Sequence, residues 1–216
     1  MLRKIAIAMC CFLSAVPAWA EIGKISTQVG PDSSIQRGKQ VIAGKPNTGI
    51  VSNDAVTTRK GTTVNINFKD NTKVRITENS RLVIDDFVFD PKKSDAGKLA
   101  MKVTMGTVRY ASGQIAKNNP QQVAVKTPTA NIAVRGTDFS MTVDETGQSL
   151  VVLLPSCKEE SEQKKYELEE NRCKVGSILV TNGAGTVTLN DNLTVTNELN
   201  SIASIGAFII PSLKEL

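Results

Sequence analysis

Histidine is absent from all 216 residues, and aromatic side chains make up only 4% of them. That absence excludes a Ser-His-Asp triad, a Cys-His pair and every His-ligated metal site. Carboxylate, Ser-Lys and cysteine chemistry stay formally open. The sequence holds no phosphate-cradling glycine loop and no Cys-x-x-Cys. Asp85 and Asp86 are neighbours, so on a strand they point to opposite sides and make a poor acid–base dyad. Asn190-Asp191-Asn192 lacks the spacing of a calcium loop and reads as a turn. Nothing in the sequence favours catalysis, a metal or a cofactor. Dense cationic runs are missing too. Arg59-Lys60 and Lys92-Lys93 read as solvated turn charges, and with few rings for stacking no nucleic-acid partner is expected.

What is present begins with an export signal. Arg3 and Lys4 precede a twelve-residue apolar stretch, Ile5 to Val16, and Ala18-Trp19-Ala20 forms a small-x-small cleavage site before Glu21. The apolar stretch is too short to cross a bilayer core of about 30 Å. Residues 1–20 therefore read as a signal peptide cut between Ala20 and Glu21, with no membrane span after cleavage and a periplasmic or secreted product. Cleavage removes Arg3, Lys4 and the only tryptophan, and lowers the net charge from +5 to +3. It also removes Cys10 and Cys11, which leaves Cys157 and Cys173. A lone pair in an exported chain is most simply a disulfide. Closing a loop of about 15 residues would be worth about 3 kcal/mol in the chain-entropy model. A dicysteine metal site is the alternative, and it lacks ligands to complete four.

The body, 21–198, is written in alternation. Thr62 to Phe68 sets Val64, Ile66 and Phe68 on one face and Thr63, Asn65 and Asn67 on the other. Lys73 to Thr77 repeats the pattern after the turn composition Lys69-Asp70-Asn71-Thr72, so the two predict a hairpin or consecutive arms of one coil. Further strands are predicted at Arg81–Ile84, Leu99–Thr104, Thr107–Tyr110, Gln122–Lys126, Asn131–Val134, Asp138–Val143, Leu150–Leu154, Ser177–Thr181 and Thr186–Val195. Short strands with turns every 8–12 residues or so indicate an all-β sandwich, barrel or solenoid. Glycine followed by a hydroxyl residue precedes several strands, at Gly61, Gly106, Gly136, Gly176 and Gly185, without a regular period.

Two stretches break this style. Residues 158–172 carry six glutamates and four basic residues and read as a short charged helical excursion closed by Cys157 and Cys173. The tail, 199–216, holds an apolar run from Ile202 to Ile210, too short for a membrane span and suited to cap the end of the β body. Docking onto another protein is the alternative for both stretches.

From about Ile22 to Val180 the chain resembles a FecR-type domain, a family named for a periplasmic sensor of ferric-citrate uptake. Asp54 to Thr58 stands where the family has an x-D-x-I-x-T strand. Gly61 to Phe68 with Asp70 to Val74 matches its F-x-D-G-[ST] hairpin, Asn71 replacing the usual glycine, which is mild because Asn accepts positive φ. Glu78 to Ile84 and Gly106-Thr107-Val108-Arg109 follow. The most specific match is Val125-Lys126-Thr127-Pro128-Thr129-Ala130 leading to Ala133-Val134-Arg135-Gly136-Thr137-Asp138-Phe139.

The resemblance implies a twisted, solenoid-like all-β fold and a non-catalytic role. The family's full sensors add an anti-sigma segment, a transmembrane helix and a receptor-contacting module; none is expected here, so the signalling role does not follow. Within the last motif, Gly136 is expected to supply a turn that a side chain would block. Thr127-Pro128 fixes the strand exit, and Arg135 is a half-buried guanidinium on turn carbonyls or on Asp138 or Asp54. The functional expectation is a module binding a protein or envelope partner. Polar faces such as Thr63/Asn65/Asn67 or Thr186/Thr188/Asn190 suit a glycan as a variant. A structural subunit of a surface assembly or a phage virion is the second reading, since stand-alone FecR-like domains are similar to phage structural proteins.

Overall fold

The structure, a computed structural model, describes residues 20–93, 96–154, 156–157, 173–174, 176–190 and 205–209; for 156–157, 173–174 and 205–209 it describes the backbone alone. The expected signal segment before Ala20, the charged stretch 158–172, the end of the expected Asn190-Asp191-Asn192 turn and most of the tail lie outside these residues.

Alternation becomes two layers. The front sheet contains β1 (Glu21–Val29), β4 (Gly49–Val51), β6 (Thr63–Phe68), β7 (Lys73–Ile76), β12 (Asp138–Val143), β13 (Ser149–Leu154) and β18 (Ile205–Ile209). The back sheet contains β2 (Ser33–Arg37), β3 (Gln40–Ala43), β5 (Ala55–Thr58), β8 (Arg81–Val88), β10 (Val123–Lys126), β11 (Asn131–Arg135), β16 (Ser177–Asn182) and β17 (Gly185–Leu189). The strand β9 (Lys98–Ala111) belongs to both. Its first half lies between β8 and β10, its second half between β7 and β12. Across the front sheet the order is β4-β1-β6-β7-β9-β12-β13-β18, and across the back it is β3-β2-β5-β8-β9-β10-β11-β16-β17. Both orders follow the chain closely, so the polypeptide passes from layer to layer as it advances.

Period-two residues fill the space between. Val64, Ile66, Val74, Ile76 and Val108 from the front meet Leu82, Ile84, Leu99, Met101 and Val125 from the back, all 0–1% exposed. The rings of Phe68 (front) and Phe87 (back) stack at 5.5 Å, which fixes the two layers against each other at one end. At the other, Ser149 on β13 donates to Thr127 Oγ1 at 2.7 Å, tying the β10–β11 turn to the front sheet.

The all-β expectation holds, and three details change. The two strands expected at Leu99–Thr104 and Thr107–Tyr110 are one strand of 14 residues, because Gly106 (φ 81°) redirects pairing from one sheet to the other without ending it. Strands β1 to β4 do not stand out from alternation: β1 carries a register shift between Ile25 and Thr27, and β4 has three residues. A short helix, α1 (Gln114–Asn118), buries Ile115 and Ala116 and escapes the period-two reading.

Candidate functional site

Two turns and the outer face of the front sheet build the site. In the β6–β7 turn Asn71 sits at φ 66°, the conformation its family match requires of glycine. Its neighbour Asp70 is fully buried. The Asp70 carboxylate accepts from the Thr72 amide (3.0 Å) and hydroxyl (2.8 Å) and from the Ile115 amide (3.3 Å), while its carbonyl accepts from the Gln114 amide at 2.7 Å. Asp70 thus caps α1 from 45 residues away. The second turn joins β11 to β12. Gly136 stands at φ 62° with open space where a β-carbon would sit. The residue is required by backbone conformation; the expected steric block is absent. Thr137 then exchanges bonds with Ser112: its amide donates to Ser112 Oγ at 2.9 Å, and its carbonyl accepts from the same hydroxyl at 2.7 Å.

Arg135 is corrected outright. It is exposed on the back sheet, and no hydrogen bond or ion pair to it is found among the described residues. The strand register explains why. Asp138 lies opposite Ala111, two residues from Arg109 and on the same face, and Arg109 makes the bidentate pair with it, Nη2–Oδ2 2.6 Å and Nε–Oδ1 3.3 Å. Asp54, the other carboxylate considered, is held by Arg37 (Nη2–Oδ2 2.7 Å, Nε–Oδ1 2.8 Å) and by the Val51 amide.

A groove of about 790 Å³ runs over β1, β6, β7 and β9 and is bounded by α1 and the Gly136–Asp138 turn. Four cations line it: Lys73, Arg75, Arg109 and Lys117. Asp138 is its one carboxylate, and no aromatic ring contributes. Amide and hydroxyl groups supply the rest, Asn65 Nδ2 donating to Thr27 Oγ1 at 2.6 Å. Register places Asn65 opposite Arg75, and Arg75 opposite Arg109. Like charges directly across a ladder destabilise a sheet. Arg109 is relieved by Asp138; among the described residues Lys73, Arg75 and Lys117 have no ion pair.

Of the sequence-predicted residues, Gly136 and Thr137 border the groove together with Asn65 and Asn67. Phe139 packs beneath it, its ring 5.2 Å from that of Tyr110. Thr127 and Pro128 sit in the distant β10–β11 turn, where Thr127 Oγ1 accepts from the Ala130 amide. Cys157 and Cys173 are backbone partners in a two-stranded antiparallel ladder, β14 (Ser156–Cys157) with β15 (Cys173–Lys174); their side chains lie outside the described atoms. Ala20 immediately precedes β1, which opens at Glu21. The cations Lys73, Arg75, Arg109 and Lys117 were not singled out by sequence. Alternation on β7 and β9, read with the correct register, could have assembled the first three; Lys117 arrives on α1.

Beneath the groove the Tyr110 hydroxyl is buried and has no hydrogen-bond partner among the described residues. Burial pushes the phenol well above its ordinary range; the Thr72 and Ser112 side chains pull the other way, and the Asp70 charge adds to the rise. A folded-state value above the unfolded one, about 10, means that the folded chain holds the proton more tightly. The corresponding stability is complete below pH ~10 and is lost as pH rises beyond it. Urea titrations should show Tyr110→Phe losing less stability than the parent between about pH 10 and 11.5. At neutral pH the variant should gain up to about 1 kcal/mol, because an orphan buried hydroxyl has gone.

Fold and groove together define an all-β domain with a recess on one sheet face. Residues 54–155 match the family described as FecR protein, an envelope-associated family, and this stretch is a FecR-type domain. The matched stretch runs from β5 to β13, narrower than the resemblance, yet β1 and β2 pair directly onto it at β6 and β5. No curated protein and no solved structure matches the chain.

Proposed function

We propose that this chain works in the cell envelope as a non-catalytic interaction module whose binding surface is the groove on the front sheet. The observation that carries the reading is a recess of about 790 Å³ with four cations against one carboxylate, on a rigid sheet. The match to the envelope-associated FecR family over residues 54–155 supports the location. Among the described residues no helix is long and apolar enough to cross a membrane. The buried carboxylates Asp54, Asp70 and Asp138 all serve structural bonds, which supports a binding role over acid–base work.

The test is retention of the purified chain from Glu21 onward on envelope fragments of the cell that makes it. Lys73→Ala/Arg75→Ala should lower retention about tenfold, and equal retention by parent and variant would remove the groove from the proposal. Light scattering should show a monomer. Ordered polymers would instead favour the structural-subunit reading. The disulfide is part of the proposal: mass spectrometry without reductant should find the chain about 2 Da lighter than its reduced form, with Glu21 as its first residue. Free thiols at Cys157 and Cys173 would refute it.

A further inference from the structure

Three features of the groove say what kind of ligand it holds, given that it is the binding surface. The first is unbalanced charge. Arg75 faces Arg109 across the ladder, and Lys73 and Lys117 stand beside them without acids among the described residues. Arg109 is already balanced by Asp138, so Arg75, Lys73 and Lys117 are the cations that an anionic ligand would balance. The second is the absence of rings. Protein interfaces centre on aromatic, Met and Arg anchors, and single-stranded nucleic acids need aromatic platforms. This lining offers arginines but no ring and no methionine. The third is the spacing of its polar groups. One register row runs Thr27, Asn65, Arg75, Arg109, on β1, β6, β7 and β9. Neighbouring strands lie about 4.8 Å apart, close to the repeat of pyranose rings along a sugar chain. A parallel row, Lys24, Asn67, Lys73, Ala111, flanks it.

We propose that the groove binds an acidic polysaccharide, a sugar chain bearing carboxylates, laid across strands β1 to β9. Arg75 takes a carboxylate through its forked N–H groups, Lys73 and Lys117 act as point charges, Arg109, its Nε and Nη2 held by Asp138, offers Nη1, and Asn65, Asn67 and Thr27 meet ring hydroxyls. Binding balances Arg75, Lys73 and Lys117, so it raises stability as well as filling the recess.

The back sheet supplies a control. There Lys102, on the back-sheet half of β9, pairs with Lys126 on β10 in the same like-charge fashion, and neither residue lines the groove. Calorimetry with polygalacturonate at about 0.05 M salt should give saturable binding that weakens steeply at about 0.5 M, with none to neutral dextran. Lys73→Glu/Arg75→Glu should weaken it at least about tenfold, whereas Lys102→Glu/Lys126→Glu, an identical change in net charge, should leave it within about twofold. Lys117→Glu, outside the sheet, should show a smaller loss and guards against misfolding of the double variant. No binding of polygalacturonate, an equal loss in both double variants, or equally tight binding of polyglutamate would overturn the proposal. If polygalacturonate fails while Lys73→Ala/Arg75→Ala still lowers envelope retention, the ligand assignment falls and the groove remains the binding surface.

Discussion

Gly106→Ala should be among the most damaging single substitutions in this chain, and Gly106→Val should yield no folded protein. Gly106 is the residue at which β9 leaves the back sheet for the front. Met105 pairs with Arg81 in one layer, and Gly106 pairs with Val143 in the other. Its φ of 81° costs a residue with a β-carbon about 1–3 kcal/mol. That carbon would also overlap Ser80, on both its hydroxyl and its backbone. Ser80 is fully buried and cannot yield, since its Oγ accepts from the Thr107 amide at 2.9 Å and donates to the Glu78 carbonyl at 2.9 Å. Overpacking of this kind adds about 1–3 kcal/mol. Together the two effects consume much of the 5–15 kcal/mol or so that holds a domain folded. Gly136 separates them, having φ 62° and open space around it. Gly136→Ala should lose the backbone part alone. Chemical denaturation of the two variants checks this; equal losses would show that Ser80 yields and that packing at the crossing is loose.

The second large effect is expected at Asp54. Its carboxylate is 0% exposed and depends on Arg37, whose side chain is 19% exposed. The pair spans the layers, for Arg37 ends β2 in the back sheet and also donates to the Gly49 carbonyl on β4 in the front at 2.8 Å. Arg37→Met strands a buried charge and should cost about 3–5 kcal/mol in urea denaturation. Arg37→Met/Asp54→Leu should recover most of that, because replacing a buried ion pair with apolar residues is close to neutral. Arg109→Met, by contrast, breaks a pair whose guanidinium is 54% exposed, and should cost no more than about 1 kcal/mol. Were Arg37→Met as mild as Arg109→Met, water must reach Asp54.

How far the sequence spoke depended on the range of each interaction. Val64, Ile66 and Phe68 declared their inward face through a period of two, and Asn71 declared a left-handed turn through residue type; both signals are local. The partner of Asp138 could not be read this way. Arg135 is three residues distant and Arg109 twenty-nine, and only the pairing of β9 with β12 decides between them. Asp70 likewise looked like a turn residue, whereas half its role is to cap α1 far along the chain. The groove is the extreme case. Its cations come one or two per strand, from β7, β9 and α1, and no window of sequence shows more than Lys73 and Arg75 together. Alternation supplied the faces, and register, which alternation leaves undetermined, supplied the site.

The near-sequential order of strands in both layers has a consequence for biogenesis. Most strands find their partner within the preceding few dozen residues, so few have to wait for a distant stretch of polypeptide before they can dock. A chain threaded through a translocation pore, amino end foremost, could therefore consolidate turn by turn on the far side. Each newly delivered segment would find a template in the one before it, and unpaired edges would be brief.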